Sequence, residues 1–191
     1  MEITRTLQVT NRKDWRQWLR EHYKTEKEVW LVYYKKETGK PRIAYNDAVE
    51  EALCFGWIDS TLKTLDKERN VQRFSPRKPK SPYSAANKER LRKLLRQHKV
   101  IKGVRETLGD ILAEEFEIAE DILNAIKANK QAWKNFRKFS DPYKRIRIGF
   151  VEGARKRPAE FRKRLHYFIN SWRNRQWNVS GYGFPCEKHD Q

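Results

Sequence analysis

Asp59 is the residue of this chain whose surroundings most need a chemical explanation. It directly follows Trp57 and Ile58 at the end of an apolar run. A carboxylate beside large apolar side chains is costly unless it is paired or hydrogen-bonded. Because strand residues alternate between two faces, Trp57 and Asp59 share one face of a predicted strand, and Arg73 and Arg77 share one face of the next. We therefore expect Asp59 to face an arginine of that second strand.

Ser84 and Asn87 extend this set of polar residues. Ser84 stands where a helix is predicted to begin, and Asn87 lies three residues further on. The N-terminus of a helix favours anions, because its first N–H groups are unpaired and its dipole is positive there. These observations favour a pocket for a small anionic or polar ligand, formed by Trp57, Asp59, Arg73, Arg77, Ser84 and Asn87. The alternative is that Asp59 and Arg77 form a structural ion pair and that Ser84 only caps its helix, a role that alone contributes about 1 kcal/mol.

Hydrophobic periodicity predicts the elements that would position these residues. Strands are predicted over residues 2–9, 29–34, 57–65 and 70–75, and helices over 12–23, from a cap at Asn46 or Asp47 to Cys54, and over 84–98. The fold class is α+β, with a small antiparallel sheet of three to four strands packed by helices and a C-terminal helical unit. We expect an α+β domain over residues 1–105, a helical module over 106–177 and a loosely ordered tail over 178–191.

Several segments carry a family resemblance. They are AVEEALCFGWID (48–59), RFSPRK (73–78), SPYSAAN (81–87), EDIL (120–123) and GARK (153–156). In this order and spacing they resemble the YdeI/OmpD-associated (bacteriocin-protection) family, and the N-terminal half is also similar to the YdhG-type α+β domain. Departures are Ser60, Tyr83 and Glu160-Phe161, where the family tends to have Gly, Trp and Thr-Arg. The resemblance implies a non-enzymatic binding or stress-associated protein and no particular reaction.

The charge of the chain allows a second function class. Lys and Arg number 43 against 25 acids, for a net charge of +18. Residues 67–105 contain fourteen basic and two acidic residues, and residues 141–177 contain eleven basic and three acidic residues. Two such surfaces side by side would bind phosphates of a nucleic acid. The alternative is that both segments form solvated helix faces, partly neutralised by the seven acids of residues 106–121. We favour this alternative because the sequence contains no nucleic-acid-binding motif.

Other chemistries find little support in the residues. Cys186-x-x-His189 offers two ligands where structural zinc needs four, so we predict neither a metal site nor a cofactor. Nucleophile-elbow, P-loop and dinucleotide motifs are absent from the sequence, and Cys54 in an apolar run should be unreactive. An enzyme with an unrecognised site stays a third alternative.

The sequence also predicts where the protein is located. It contains two cysteines, and it shows neither a signal-peptide pattern nor an apolar run of membrane-span length. We therefore expect a cytosolic protein without membrane insertion, and the oligomeric state stays open.

Overall fold

The computed structural model describes residues 2–109, 111 and 113–174. The chain divides into two compact units, the first comprising Met1–Pro82 and Arg90–Gly109, and the second Tyr83–Glu89 and Asp110–Gln191. Helices and a four-stranded sheet confirm the α+β class. The predicted tail and the Cys186-x-x-His189 pair lie outside the described residues. No helix among the described residues is long and apolar enough to cross a membrane.

The elements follow the predicted order closely. The sheet-bearing part contains β1 (Thr6–Leu7), α1 (Arg12–His22), β2 (Val29–Tyr34), α2 (Tyr45–Cys54), β3 (Trp57–Thr64) and β4 (Arg69–Pro76). The helices that follow are α3 (Ala85–Arg96), α4 (Lys102–Thr107), α5 (Glu120–Ala128), α6 (Lys130–Lys138), α7 (Asp141–Glu152) and α8 (Pro158–Arg173). β3 and β4 form a hairpin, and its turn is held by Asp66, which accepts hydrogen bonds from the N–H groups of Glu68 and Arg69.

The sheet is mixed rather than antiparallel as expected. Its strand order is β1-β2-β4-β3, and β1 runs parallel to β2 while the other pairs are antiparallel. The physical reason is the connection between the strands. A tight turn would return the chain antiparallel, whereas the helix α1 between β1 and β2 carries it across in the manner of a parallel crossover.

The register of β3 and β4 decides which side chains share a face of the sheet. Asp59 pairs with Phe74, and Ile58 pairs with Ser75. Directly opposed residues of an antiparallel pair point to the same side, so Asp59 lies on the side of Phe74. The Phe74 ring packs against Trp15 of α1, at a centroid distance of 5.5 Å. Arg73, the neighbour of Phe74 along β4, therefore points to the opposite side.

Large rings form the core of the first unit. Trp15 stacks on Trp18 at 5.3 Å between ring centroids, and Trp18 meets Trp57 edge-on at 5.8 Å. Trp15 and Trp57 donate their indole N–H groups to the carbonyls of Ala48 and Tyr23. Because buried indoles need hydrogen-bond acceptors, these bonds fix how α1, α2 and β3 meet.

Helix α2 begins differently from the prediction. Its N-cap is Ala44, without a side-chain capping bond, rather than Asn46 or Asp47. The two polar side chains have other partners, since Asp47 accepts a hydrogen bond from Arg12 and Asn46 accepts one from Arg90. Tertiary contacts have thus overridden the local capping preference.

The second unit has a helical core of its own. Apolar side chains from α5 to α8 meet there, among them Ile122, Ile126, Phe136, Phe139, Phe168 and Trp172. Ser140 caps the start of α7, because its hydroxyl accepts a hydrogen bond from the N–H of Tyr143, and Pro142 follows in the first turn.

Candidate functional site

Trp57 and Asp59 lie on the side of the sheet that α1 and α2 cover. Trp57 is buried in the core, where its ring and indole N–H are both engaged. Asp59 is partly exposed, and within the described residues its hydrogen bond comes from the hydroxyl of Tyr45 at 2.6 Å. The expected contact with an arginine is therefore replaced by a contact with a tyrosine of α2, because the register sends Arg73 to the other side.

Arg73 has a carboxylate partner on that other side. Its Nε and Nη2 atoms both lie 2.6 Å from Oε2 of Glu28, and its Nη1 lies 3.4 Å from the hydroxyls of Ser60 and Ser75. Hydrogen bonds from Thr4 and from Arg73 hold the pKa of Glu28 below its usual value. Glu28 therefore stays ionised near neutral pH and neutralises Arg73, which makes Arg73 a poor receptor for an added anion.

Arg77, Ser84 and Asn87 have local roles. Arg77 donates to the carbonyls of Ser81 (2.9 Å) and Pro82 (3.1 Å), and so holds the chain that leaves β4. Ser84 accepts a hydrogen bond from the N–H of Asn87 at 3.3 Å, as expected of a cap for α3. Ser84 and Asn87 belong to the second unit, whereas the other four residues of the predicted pocket belong to the first. The sheet itself separates Asp59 from Arg73.

A buried ionic cluster on α2 was not singled out by sequence patterns. Glu51 accepts hydrogen bonds from Arg12 and Arg16, both at 2.5 Å, and Glu50 accepts from Arg12 (2.7 Å) and Lys93 (3.0 Å). Burial alone would raise the pKa of Glu50, but the hydrogen bonds from Arg12 and Lys93 outweigh burial and lower it. The available sequence signal was the i, i+4 spacing of Arg12 and Arg16, which puts two guanidinium groups on one face of α1.

The predicted inertness of Cys54 agrees with its surroundings. The side chain is fully buried at the end of α2, and burial raises the pKa of its thiol to about 11. A thiol rather than a thiolate is therefore present near neutral pH, and the thiol is a weak nucleophile. Cys54 contributes packing to the core.

The basic residues of 67–105 are largely engaged within the protein. Arg90 and Arg92 are only 4% and 6% exposed. Lys93 pairs with Glu50, and Lys88 pairs with Glu114 of the acidic stretch. This segment therefore presents fewer cations to solvent than its composition indicates.

A groove of about 620 Å³ lies between α7 and α8 in the second unit. We call it the α7–α8 groove. Its apolar part consists of Phe150, Tyr167 and Phe168. The rings of Phe150 and Tyr167 both meet Phe168 edge-on, at centroid distances of 5.8 Å and 5.5 Å. Phe168 is buried, whereas Phe150 and Tyr167 are 43% and 61% exposed. The groove thus has a fixed aromatic floor whose two outer rings meet solvent.

Cationic side chains surround this floor. Arg164 lies over Phe150, with 3.9 Å between Cζ and the ring centroid, and Arg147 lies 5.3 Å from the centroid of Phe168. Lys163 is exposed at the edge of the groove. Glu160 accepts a hydrogen bond from Arg164 at 2.7 Å, and this bond lowers the pKa of Glu160. Among the described lining residues, these three cations outnumber the one carboxylate.

Metal ligation has no geometric support in the described part of the chain. No group of three or more His, Cys, Asp or Glu side chains is placed there to hold an ion. His166 lines the groove, and its Nε2 lies 2.7 Å from Nδ2 of Asn170. That contact makes His166 part of a polar pair on α8.

Comparison with known families divides the chain into two matched segments. Residues 7–107 match a family described as a domain of unknown function (DUF8412). The chain belongs to this family. Residues 115–174 match a second family, described as "Bacteriocin-protection, YdeI or OmpD-Associated". This match confirms the resemblance that the sequence segments indicated. Neither the curated proteins nor the solved structures contain a significant match.

The described lining residues of the α7–α8 groove fall between Arg147 and Asn174, within the YdeI/OmpD-associated segment. The residues AVEEALCFGWID, on which the resemblance first depended, fall instead within the segment matched by the DUF8412 family. Sequence patterns did not predict the groove, although an available signal was the set of basic residues interleaved with Phe and Tyr in α7 and α8.

Proposed function

We propose that this member of the DUF8412 family is a non-enzymatic cytosolic binding protein that takes a small anionic ligand in the α7–α8 groove. The observation that carries the proposal is the arrangement of Arg147, Lys163 and Arg164 around an aromatic floor, with Glu160 as the carboxylate among the described lining residues. Small-molecule sites are typically clefts of a few hundred cubic ångströms that combine an apolar lining with a few convergent polar groups. The volume of about 620 Å³ falls in that class.

Electrostatics support an anion as the ligand. The cations outnumber the carboxylate, and low-dielectric walls strengthen the interaction of a charge with its neighbours. The ring of Phe150 and the contact with Glu160 fix the position of Arg164 before any ligand arrives. A preorganised cation loses little conformational entropy on binding, which favours affinity.

The state of Glu160, the carboxylate among the described lining residues, disfavours acid catalysis in the groove. Arg164 keeps Glu160 ionised, so Glu160 is unsuited to act as a general acid near neutral pH. The cytosolic part of the proposal is supported by the buried free cysteine Cys54, since free thiols are typical of a reducing compartment.

The expected pocket around Asp59 and Arg73 receives less support, because these side chains lie on opposite sides of the sheet.

Calorimetric titration with pyrophosphate, a small anion without a ring, tests the proposal. At physiological salt we expect binding to the unmodified protein and an affinity about tenfold lower for Lys163→Ala, since a hydrogen bond to a charged group contributes about 1.5–3 kcal/mol. Lys156→Ala is the matched control, because Lys156 is also exposed in the second unit but does not line the groove. An equal loss in both variants, or no binding at millimolar pyrophosphate, would contradict the proposal.

A further inference from the structure

The aromatic floor of the α7–α8 groove has a feature that a simple anion does not require. Large apolar side chains that are exposed among the described residues are Tyr45, Leu62, Phe150 and Tyr167. Two of these four line the same groove. Scattered exposed apolar residues need no explanation, but clustering inside a concave polar site indicates that they contact a ligand. The ligand should therefore carry a flat apolar group as well as a charge.

Tyr167 is the side chain best placed to receive that flat group. Its edge-on contact with Phe168, at an interplanar angle of 70°, fixes the orientation of its ring. More than half of its surface is still exposed. Stacking of a nucleobase on such a ring contributes about 1–3 kcal/mol per base and tolerates any base.

The charge of the groove indicates the anionic group. Arg147, Lys163 and Arg164 carry three positive charges, and Glu160 carries one negative charge. The sum of about +2 over these described side chains complements a phosphate monoester, which carries about −1.5 to −2 at neutral pH. A single carboxylate would leave the groove with an excess of positive charge.

Neutral polar groups complete the site. Asn170, Ser171 and Asn174 line the groove beside the rings. Asparagine amides both donate and accept hydrogen bonds, as do the hydroxyls of a sugar and the edges of a base. An aromatic ring, a dianion and hydroxyl groups occur together in a nucleotide.

We infer that the α7–α8 groove binds a free nucleoside monophosphate, whose base stacks on Tyr167 and whose phosphate lies between Arg147 and Lys163. This inference rests on the proposed function and adds the chemical class of its ligand. The groove volume of about 620 Å³ falls in the range that is typical of small-molecule sites.

Titration of the full chain with four probes at physiological salt tests the inference. AMP should bind at least tenfold more tightly than adenosine, which lacks the phosphate, and than ribose 5-phosphate, which lacks the base. Tyr167→Ala should weaken AMP binding about tenfold and leave ribose 5-phosphate binding unchanged, because only the base contacts the ring. Tyr45→Ala, which removes an exposed tyrosine of the first unit, is the control and should change neither affinity.

Each contrary result has a distinct meaning. If ribose 5-phosphate binds as tightly as AMP, the groove is an anion site without a base subsite, so the inference is wrong while the proposed function stands. If an eight-nucleotide DNA strand, the fourth probe, binds at least tenfold more tightly than AMP, the groove belongs to a nucleic-acid interface and the free-nucleotide inference is wrong. If neither AMP, ribose 5-phosphate nor pyrophosphate binds at millimolar concentration, both the inference and the proposed function are wrong.

Discussion

Glu51 shows how strongly one residue of this fold depends on its partners. Its carboxylate is only 2% exposed and lies between Arg12 and Arg16, which are 31% and 28% exposed. Removing one partner of a buried ion pair is costly, because the remaining charge loses its compensation. If the charge of Glu51 is removed, the charges that remain belong to arginines that still contact water. The loss in the free energy of unfolding should therefore be at the low end of the range for buried ion pairs.

We therefore expect Glu51→Gln to lower the free energy of unfolding by about 3 kcal/mol, measured by urea denaturation. Glu26→Gln is the matched control, because Glu26 pairs with Arg5 at 2.6 Å but both side chains are more exposed, at 30% and 53%. Exposed pairs contribute about 0–1 kcal/mol. Equal losses in the two variants would show that the burial of Glu51 does not determine its contribution.

At the scale of elements, the packing of α7 depends on a glycine. A Cβ at Gly149 would meet the Cβ of Ala85, at the start of α3, more closely than real side chains approach. Gly103 in α4 has nothing within 4 Å of the same position. Both glycines lie in helices, so replacing either by alanine changes helix propensity in the same way. The difference between the two variants then measures the effect of packing at Gly149.

We expect Gly103→Ala to stabilise the protein by about 0.5–1 kcal/mol, because alanine loses less backbone entropy in a helix. Gly149→Ala should instead destabilise it by about 1–3 kcal/mol, the usual cost of overpacking. Thermal unfolding of both variants measures the difference. A gain of stability at Gly149 would mean that the start of α3 moves aside without cost.

The elements also show what local sequence signals can predict. The caps at Asn11 and Ser140, the β3–β4 hairpin and the start of α8 at Pro158 each depend on residues that are close together in the sequence, so local signals can specify them. The start of α2 could not, because Asn46 and Asp47 are held by arginines that are distant in the sequence. Local signals also could not predict that β1 pairs with β2 in parallel, because this pairing depends on where α1 packs.

At the scale of the whole molecule, the excess of positive charge makes stability sensitive to acid. The pKa values of Glu28, Glu50, Asp66, Asp121 and Glu160 are lowered, mostly through hydrogen bonds from arginines. A carboxyl group with a lowered folded-state pKa stabilises the fold above its unfolded pKa, and this contribution is lost as the pH falls through the folded value. Each protonation also adds to the net charge of +18 and increases repulsion.

We expect the free energy of unfolding to fall steadily as the pH decreases below about 4.5, the ordinary value for glutamate. Urea denaturation between pH 7 and pH 3 measures this slope. Glu50→Gln should flatten it, because the buried Glu50 no longer titrates, and Glu115→Gln, at an exposed position, is the control. If the free energy of unfolding depends on pH equally in the unmodified protein and in both variants, Glu50 does not contribute to the loss of stability in acid.

The sequence by itself determined the α+β class, the approximate bounds of most elements up to α3, and the family resemblance over the C-terminal segment, because periodicity, caps and motifs are local properties. Only the tertiary structure decided which polar residues meet. Asp59 and Arg73 have the right types and spacing for a pair, but a β3–β4 register that opposes Asp59 to Phe74 puts them on opposite sides of the sheet. The cations of α7 and α8 gather around Phe150 and Tyr167 only when the two helices pack. Register and helix packing are set by the burial of apolar side chains from the whole unit, which no short segment of sequence contains.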